Sequence, residues 1–225
     1  MEPAAIHQLL VEKFGDAVVG WHPDGPEPCA EVAPARVADV ALFLRDDPRL
    51  AFALLMCLSG IDWDGYDAAG KGKSVAILGY RADGTPEAGE RVATGDLGVA
   101  YHLYSYAHRH KFTLRARVPR AQPSLPTVCR VWPTAAWHER EAWDLLGIVF
   151  TGHPDPRRIL LEDGWIGHPL RKDYAMPGAW EGVPLQGQPY AVSSAKPVLP
   201  PPSAPAPRPA PPDQGARGPA EGGSA

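Results

Sequence analysis

Leu97–Ser105 (LGVAYHLYS) and Lys111–Val118 (KFTLRARV) decide the fold class of this 225-residue chain. In the second stretch Phe112, Leu114, Ala116 and Val118 alternate with Lys111, Thr113, Arg115 and Arg117. Such a period of two is the pattern of a half-buried strand. Only the short polar link Tyr106–His110 separates the two stretches, so they are expected to pair as an antiparallel hairpin. Two further strands are expected upstream, at Phe52–Leu58, apolar enough to be buried on both faces, and at Ser74–Tyr80.

Helices precede these strands. Ile6, Leu9, Leu10 and Phe14 share one side of a helix over residues 4–14, and Val18–Trp21 follows as a short strand before Pro23, Gly25, Pro26 and Pro28 break the chain. Pro34 opens, and Pro48 lies just beyond, a second helix near Arg36–Asp46. Helices followed by a meander give an α+β class: a small N-terminal sheet with flanking helices over residues 1–133.

A third helix is expected over Ala135–Leu146 within a segment 134–150, with Thr134 as N-cap and Gly147 as the stop. On a helical wheel Ala135, Ala142, Trp143 and Leu146 form an apolar stripe with Glu139 near its middle. Arg140, Glu141 and Asp144 fall outside it, and Trp137 lands among the charges. A buried carboxylate needs donors, and Arg157, Arg158, Arg171 and Lys172 are the expected ones, a row of backbone N–H groups the alternative. Trp137 suggests that the polar side is covered as well. Residues 151–192 keep no sustained period of either kind and cannot form a core alone. Nine of the sixteen residues from Pro197 to Pro212 are proline, so 193–225 reads as a disordered or polyproline-like tail.

Composition narrows function. A net charge of −4 and a pI near 6.0 argue against nucleic-acid binding. The longest uncharged apolar run, Leu50–Ile61, is too short to cross a bilayer, and no secretory leader is visible. Cys29, Cys57 and Cys129 are widely spaced; they predict free thiols and fall short of the four thiolates a cluster usually needs. His138, Glu141, His153, Asp155 and His168 sketch a zinc hydrolase, but His-Glu-Arg-Glu lacks the second helical histidine of that motif. Asp62-Trp63-Asp64-Gly65 begins like a calcium loop and lacks the remaining ligands.

The densest signal is Glu139-Arg140-Glu141-Ala142-Trp143-Asp144-Leu145-Leu146-Gly147-Ile148, then Phe150-Thr151-Gly152-His153-Pro154-Asp155, Arg157-Arg158-Ile159-Leu160, Asp163-Gly164-Trp165 and Gly167-His168-Pro169-Leu170-Arg171-Lys172-Asp173-Tyr174. This run closely resembles the 30 kDa subunit family of respiratory complex I, the C subunits of bacterial NADH:quinone oxidoreductases. Tyr101–Ser105 and Trp132–Trp137 look like the family too. The resemblance is dense over 134–174, looser over 1–133, and stops before the tail.

It implies a protein with no catalytic residues and no cofactor of its own, in a complex that carries FMN and iron–sulfur clusters in other chains. It implies a partner, the larger 49 kDa-type D subunit of the quinone site, with other peripheral-arm subunits, and an extended segment 151–192 that docks on it, with Leu160, Leu161, Trp165 and Leu170 as apolar anchors. It also implies a peripheral place on the cytoplasmic side of the bacterial inner membrane. The interface residues it implies are Glu139, Arg140, Glu141, Trp143, Asp144, His153, Asp155, Arg157, Arg158, Leu160, Trp165, His168, Arg171, Lys172, Asp173 and Tyr174. A related subunit of membrane-bound hydrogenases is the nearest rival, and a proline-tail binding module the third.

Overall fold

The hairpin forms as the alternation dictates. β4 (Leu97–Ser105) and β5 (His110–Val118) pair antiparallel in unbroken register, from Leu97 opposite Val118 to Ser105 opposite His110. The computed structural model describes residues 1–24, 27–64, 95–174, 177 and 179–184. The expected strand Ser74–Tyr80 and the proline-rich 193–225 lie outside the described residues.

α1 (Pro3–Phe14), β1 (Val18–His22), β2 (Cys29–Val32), α2 (Val37–Asp46) and β3 (Leu54–Asp62) precede the hairpin. After it come β6 (Ser124–Pro126), α3 (Ala135–Leu146), β7 (Val149–Thr151) and a small hairpin of β8 (Ala179–Trp180) and β9 (Val183–Pro184). The main sheet runs β1-β2-β5-β4-β3, antiparallel except where β2 lies parallel to β5. The class is α+β as expected. β2 is the strand of the main sheet that the sequence does not announce, its four residues being too few to show a period, and the two- and three-residue strands β6 to β9 go unannounced for the same reason.

The strand expected at Phe52–Leu58 with both faces buried is instead Leu54–Asp62, the last strand of the sheet among the described residues. Leu55 and Leu58 face inward, while a register shift between Leu55 and Cys57 leaves Met56 exposed. Phe52 sits before the strand, and its carbonyl accepts the Trp132 indole N–H at 2.8 Å. Ile6 and Leu10 of α1, and Val40, Ala41 and Leu44 of α2, share one buried core with Val99, Tyr101, Leu103, Phe112, Leu114 and Ala116. Burying a leucine- or phenylalanine-sized side chain contributes about 1.5–3 kcal/mol, so this cluster carries the fold.

α3 packs against β3, and Gly60 permits the approach. A Cβ there would lie 2.5 Å from Leu146 Cδ1 and 3.4 Å from Ala142 Cβ. Thr134 does not cap α3. It is already helical (φ −61°, ψ −26°) and makes no side-chain cap bond. The preceding turn supplies the acceptors, since the N–H groups of Ala135, Ala136 and Trp137 reach the carbonyls of Trp132, Pro133 and Thr134. At the other end Gly147 takes the expected left-handed conformation (φ +70°). All described residues fall within one compact unit, Met1–Gln188.

Candidate functional site

α3 has two buried sides. Ala135, Glu139, Ala142 and Leu146 face the domain core, and Arg140 and Asp144, one turn apart, are also buried. The second side is covered by this chain's own residues 153–172, which curl back as a strap.

The C-terminus of α3 shows why the strap lies there. A helix leaves its last four carbonyls without helical partners. The Gly147 N–H reaches Trp143 O at 2.8 Å, and the Leu170 N–H reaches Leu145 O at 3.0 Å. Asp144 O accepts His168 Nδ1–H at 2.9 Å and a longer Arg158 contact at 3.3 Å. Leu146 O accepts Arg171 Nε–H at 2.6 Å. All four carbonyls are thus satisfied, three of them by the strap. The guanidinium charges of Arg158 and Arg171 also suit the negative end of the helix dipole.

Asp144 is the strap's anchor and is fully buried. Its Oδ2 accepts three successive backbone N–H groups, Ile159 (3.0 Å), Leu160 (2.8 Å) and Leu161 (3.0 Å). Its Oδ1 accepts Arg158 Nη1–H at 2.6 Å. Consecutive N–H groups curled around an anion form a nest. Burial pushes the Asp144 carboxyl up, but the N–H groups of Leu161 and Leu160, the Arg158 guanidinium and the Ile159 N–H outweigh it and hold the group below its ordinary value. Arg158 also donates to Trp165 O at 2.8 Å and lies over the Trp143 ring.

Asp62 makes a second anchor. It accepts the Lys172 N–H at 2.9 Å and pairs with Arg120, which also donates to Asp173 at 3.2 Å and to Gly95 O. Lys172 Nζ donates to Asp64 O. The residues that began like a calcium loop are therefore bound to the chain's own cations and N–H groups, and Gly65 lies outside the described residues.

Glu139 is fully buried as the wheel requires, but its partners are not the basic residues expected. Thr127 Oγ1–H (2.5 Å), the Val128 N–H (2.7 Å) and Cys129 Sγ–H (3.2 Å) donate to it. Arg157 pairs with Asp155, Arg158 with Asp144, and Arg171 and Lys172 bind backbone carbonyls. Burial is the largest influence on Glu139 and raises its carboxyl despite the three donors. Burial likewise pushes the Cys129 thiol up to about 11. All three cysteines are free.

The remaining residues divide cleanly. Arg140 donates to the carbonyls of Arg157 and Arg158 at 3.0 and 2.9 Å. Trp165 Nε1–H donates to the Tyr174 hydroxyl. Glu141 and Leu160 are exposed. Trp137, expected to be covered, is 62% exposed within this chain, with Arg140 over its ring.

The histidines sketched as zinc ligands do not assemble. Among the described residues, the one group spaced for a metal is Cys129, Glu139 and His153. His153 Nε2–H donates to Ala136 O at 3.0 Å, while Nδ1 accepts the Asp155 N–H at 3.0 Å. Both ring nitrogens are thus engaged by backbone, and Glu139 already holds three donors. The adjoining cavity of about 40 Å³ has room for a water and not for a substrate. His168, which caps Asp144 O, is lowered chiefly by burial, opposed by that hydrogen bond, with Arg171 and Arg158 lowering it further.

These features define an α+β protein whose charged C-terminal motif is spent on pinning a strap to its own third helix. The chain belongs to the family of the 30 kDa subunit of respiratory-chain NADH dehydrogenase, which matches residues 30–180. It is 38% identical over 180 residues to the C subunit of NADH-quinone oxidoreductase from Chloroherpeton thalassium, covering 79% of this chain and 62% of that one. It is 37% identical over 181 residues to the same protein from Chlorobium phaeobacteroides, covering 80% of this chain and 92% of that one. Among solved structures, a trypsin-resistant fragment of Nqo5 aligns with a TM-score of 0.46 at 24% identity, covering 67% of this chain and 98% of that one. Among the described residues no helix is long and apolar enough to cross a membrane.

Proposed function

We propose that this chain is a non-redox docking subunit in the peripheral arm of an NADH:quinone oxidoreductase, supporting electron transfer from NADH to quinone coupled to proton translocation. It contributes assembly surface and no catalytic group. FMN and the iron–sulfur clusters reside in other subunits, and the complex holds this chain peripherally at the cytoplasmic face of the membrane. The partner is the larger 49 kDa-type quinone-site subunit.

The observation that carries the reading is the fate of the charged motif. Arg140, Asp144, His153, Arg158, His168 and Arg171 all have partners within the chain, mostly backbone. Side chains so engaged hold a shape and are not poised to turn over a substrate. Exposed Trp137, with Arg140 stacked over it, is the kind of residue that anchors interfaces. Family membership supplies the identity of the complex.

The test is affinity purification of the tagged full chain from native membranes after mild solubilisation. Co-recovery of flavin- and iron–sulfur-bearing subunits is expected. Recovery as a free soluble monomer overturns the reading. Arg158→Ala is expected to lower the yield of assembled complex while leaving the cluster signals of whatever assembles unchanged.

A further inference from the structure

We infer that the strap docks through aliphatic side chains onto a partner surface that is apolar and rimmed with basic groups. The inference rests on the docking role proposed above and adds the chemistry of the partner.

The sequence alone suggests the opposite charge. Arg157, Arg158, Arg171 and Lys172 make the segment look basic, and a basic segment asks for an acidic partner. The structure removes these cations from the outer surface one by one. Arg158 turns inward to Asp144 and Trp165 O, Arg171 to Leu146 O, and Lys172 to Asp64 O. Arg157 stays exposed but is paired with Asp155 at 2.7 Å.

What remains outward is different in kind. Leu160 (61% exposed), Ile166 (71%) and Leu170 (58%) present three aliphatic side chains within eleven residues. The backbone beside Leu160 and Leu170 is tied to α3, through Leu160 N–H to Asp144 and Leu170 N–H to Leu145 O. Glu162 and Asp163 are exposed between the aliphatic residues. Among the described residues neither forms a salt bridge, and Asp163 acts on Arg157 only through space. Asp155 and Arg157 cancel, and the inward-turned Arg171 and Lys172 lie at the far end of the strap, so the exposed face around Leu160 and Ile166 is locally acidic through Glu162 and Asp163. Complementary charge favours the approach of a basic rim and mainly sets the association rate. The aliphatic side chains, already held by a pinned backbone, then add burial without ordering the chain again.

The experiment uses the full chain, tagged, expressed in place of the native copy and recovered with its complex from solubilised membranes. Leu160→Ser, Ile166→Ser and Leu170→Ser together remove only exposed surface, so the melting temperature of the purified chain is expected to match wild type. Co-recovery of partner subunits is expected to fall roughly tenfold or more. Glu162→Lys with Asp163→Lys is expected to slow incorporation of added chain into depleted membranes by roughly tenfold at low salt, with the difference vanishing at high salt.

Full co-recovery by the serine variant overturns the docking surface while leaving the family assignment intact. Faster incorporation of the lysine variant overturns the basic rim. Concentration-dependent self-association of the wild-type chain, abolished by the serine variant, makes a second copy the occupant and overturns the partner named here. Failure of the wild-type chain to bring down any redox subunit strikes instead at the function proposed above.

Discussion

Replacing Asp144 by asparagine keeps the side chain's shape and removes its charge, and the strap is the part of the protein that should respond. Asp144 accepts four hydrogen bonds on its carboxylate, one from Arg158 at 2.6 Å and three from Ile159, Leu160 and Leu161 at 2.8–3.0 Å. A hydrogen bond to a charged group contributes about 1.5–3 kcal/mol, so a plain sum runs to roughly 6–12 kcal/mol. That sum overcounts, because groups sharing one acceptor act together. Removing one member of a buried ion pair typically costs about 3–5 kcal/mol, the better figure here. An asparagine can turn its oxygen to Arg158 or to the three N–H groups, and its NH₂ must then face donors on the other side. At about 1.36 kcal/mol per tenfold, strap opening should rise by roughly two to nearly four orders of magnitude.

The loss should stay local, because Leu160, Ile166 and Leu170 are exposed and the sheet core owes them nothing. Hydrogen exchange read at single residues is the assay. Amides 159–161 should exchange faster by the factor above, while those of β4 and β5 keep their wild-type rates. Glu141→Gln, on an exposed side chain of the same helix, serves as the control. Unchanged exchange at 159–161 refutes the reasoning, and so does an equal rise throughout β4 and β5.

Three further outcomes follow from the same geometry. Gly147→Ala places a Cβ 2.5 Å from His168 Nε2 and 2.6 Å from Arg171 Nη2 at a left-handed residue; backbone strain of about 1–2 kcal/mol plus the displaced strap should lower the melting temperature and speed exchange at 168–171. Because its raised carboxyl keeps the proton longer in the folded state, Glu139 makes stability fall as pH rises from about 4.5 toward its folded value; urea titrations across that window should show the slope, and Glu139→Gln should flatten it without unfolding the domain. His168 is lowered in the fold, so the unfolded chain binds the extra proton first. Exchange at the amides of 168–171 should therefore quicken as pH drops below about 6.5, and His168→Gln should blunt that acid sensitivity.

The parts legible in the sequence were those a single period describes. Phe112 to Val118 announced β5, and Gly147 announced the end of α3. The misplaced acid Glu139 was visible because one apolar stripe suffices to bury it. Asp144 was not, because a wheel divides a helix into one dry half and one wet half. α3 is dry on two sides, and the second is covered by a strap with no period at all. The donors to Glu139 were missed for a related reason. Thr127, Val128 and Cys129 sit in a turn after Pro126, where one backbone N–H and two weak side-chain donors replace the arginine that charge-counting demands. β2 escaped because Cys29–Val32 is brief and pairs parallel with a strand some eighty residues away.

The arrangement also explains why so much charge is buried in a segment that makes no core. Ordering a residue costs about 1–2 kcal/mol of backbone entropy, and the strap spans some sixteen residues between Arg157 and Lys172. Exposed leucines cannot offset that cost. Charge-assisted hydrogen bonds at Asp144 and Asp62, together with the helix-end carbonyls of α3, act against it during folding, before any partner arrives. Binding then meets a strap whose path is fixed, and the entropy that a floppy segment would lose at the interface has already been spent. On this view the buried charges determine how tightly the exposed aliphatic residues bind without touching what they bind. Asp144→Asn and Leu160→Ser should accordingly both weaken association in the co-recovery assay but by opposite routes, the first with a loosened strap and the second with an intact one.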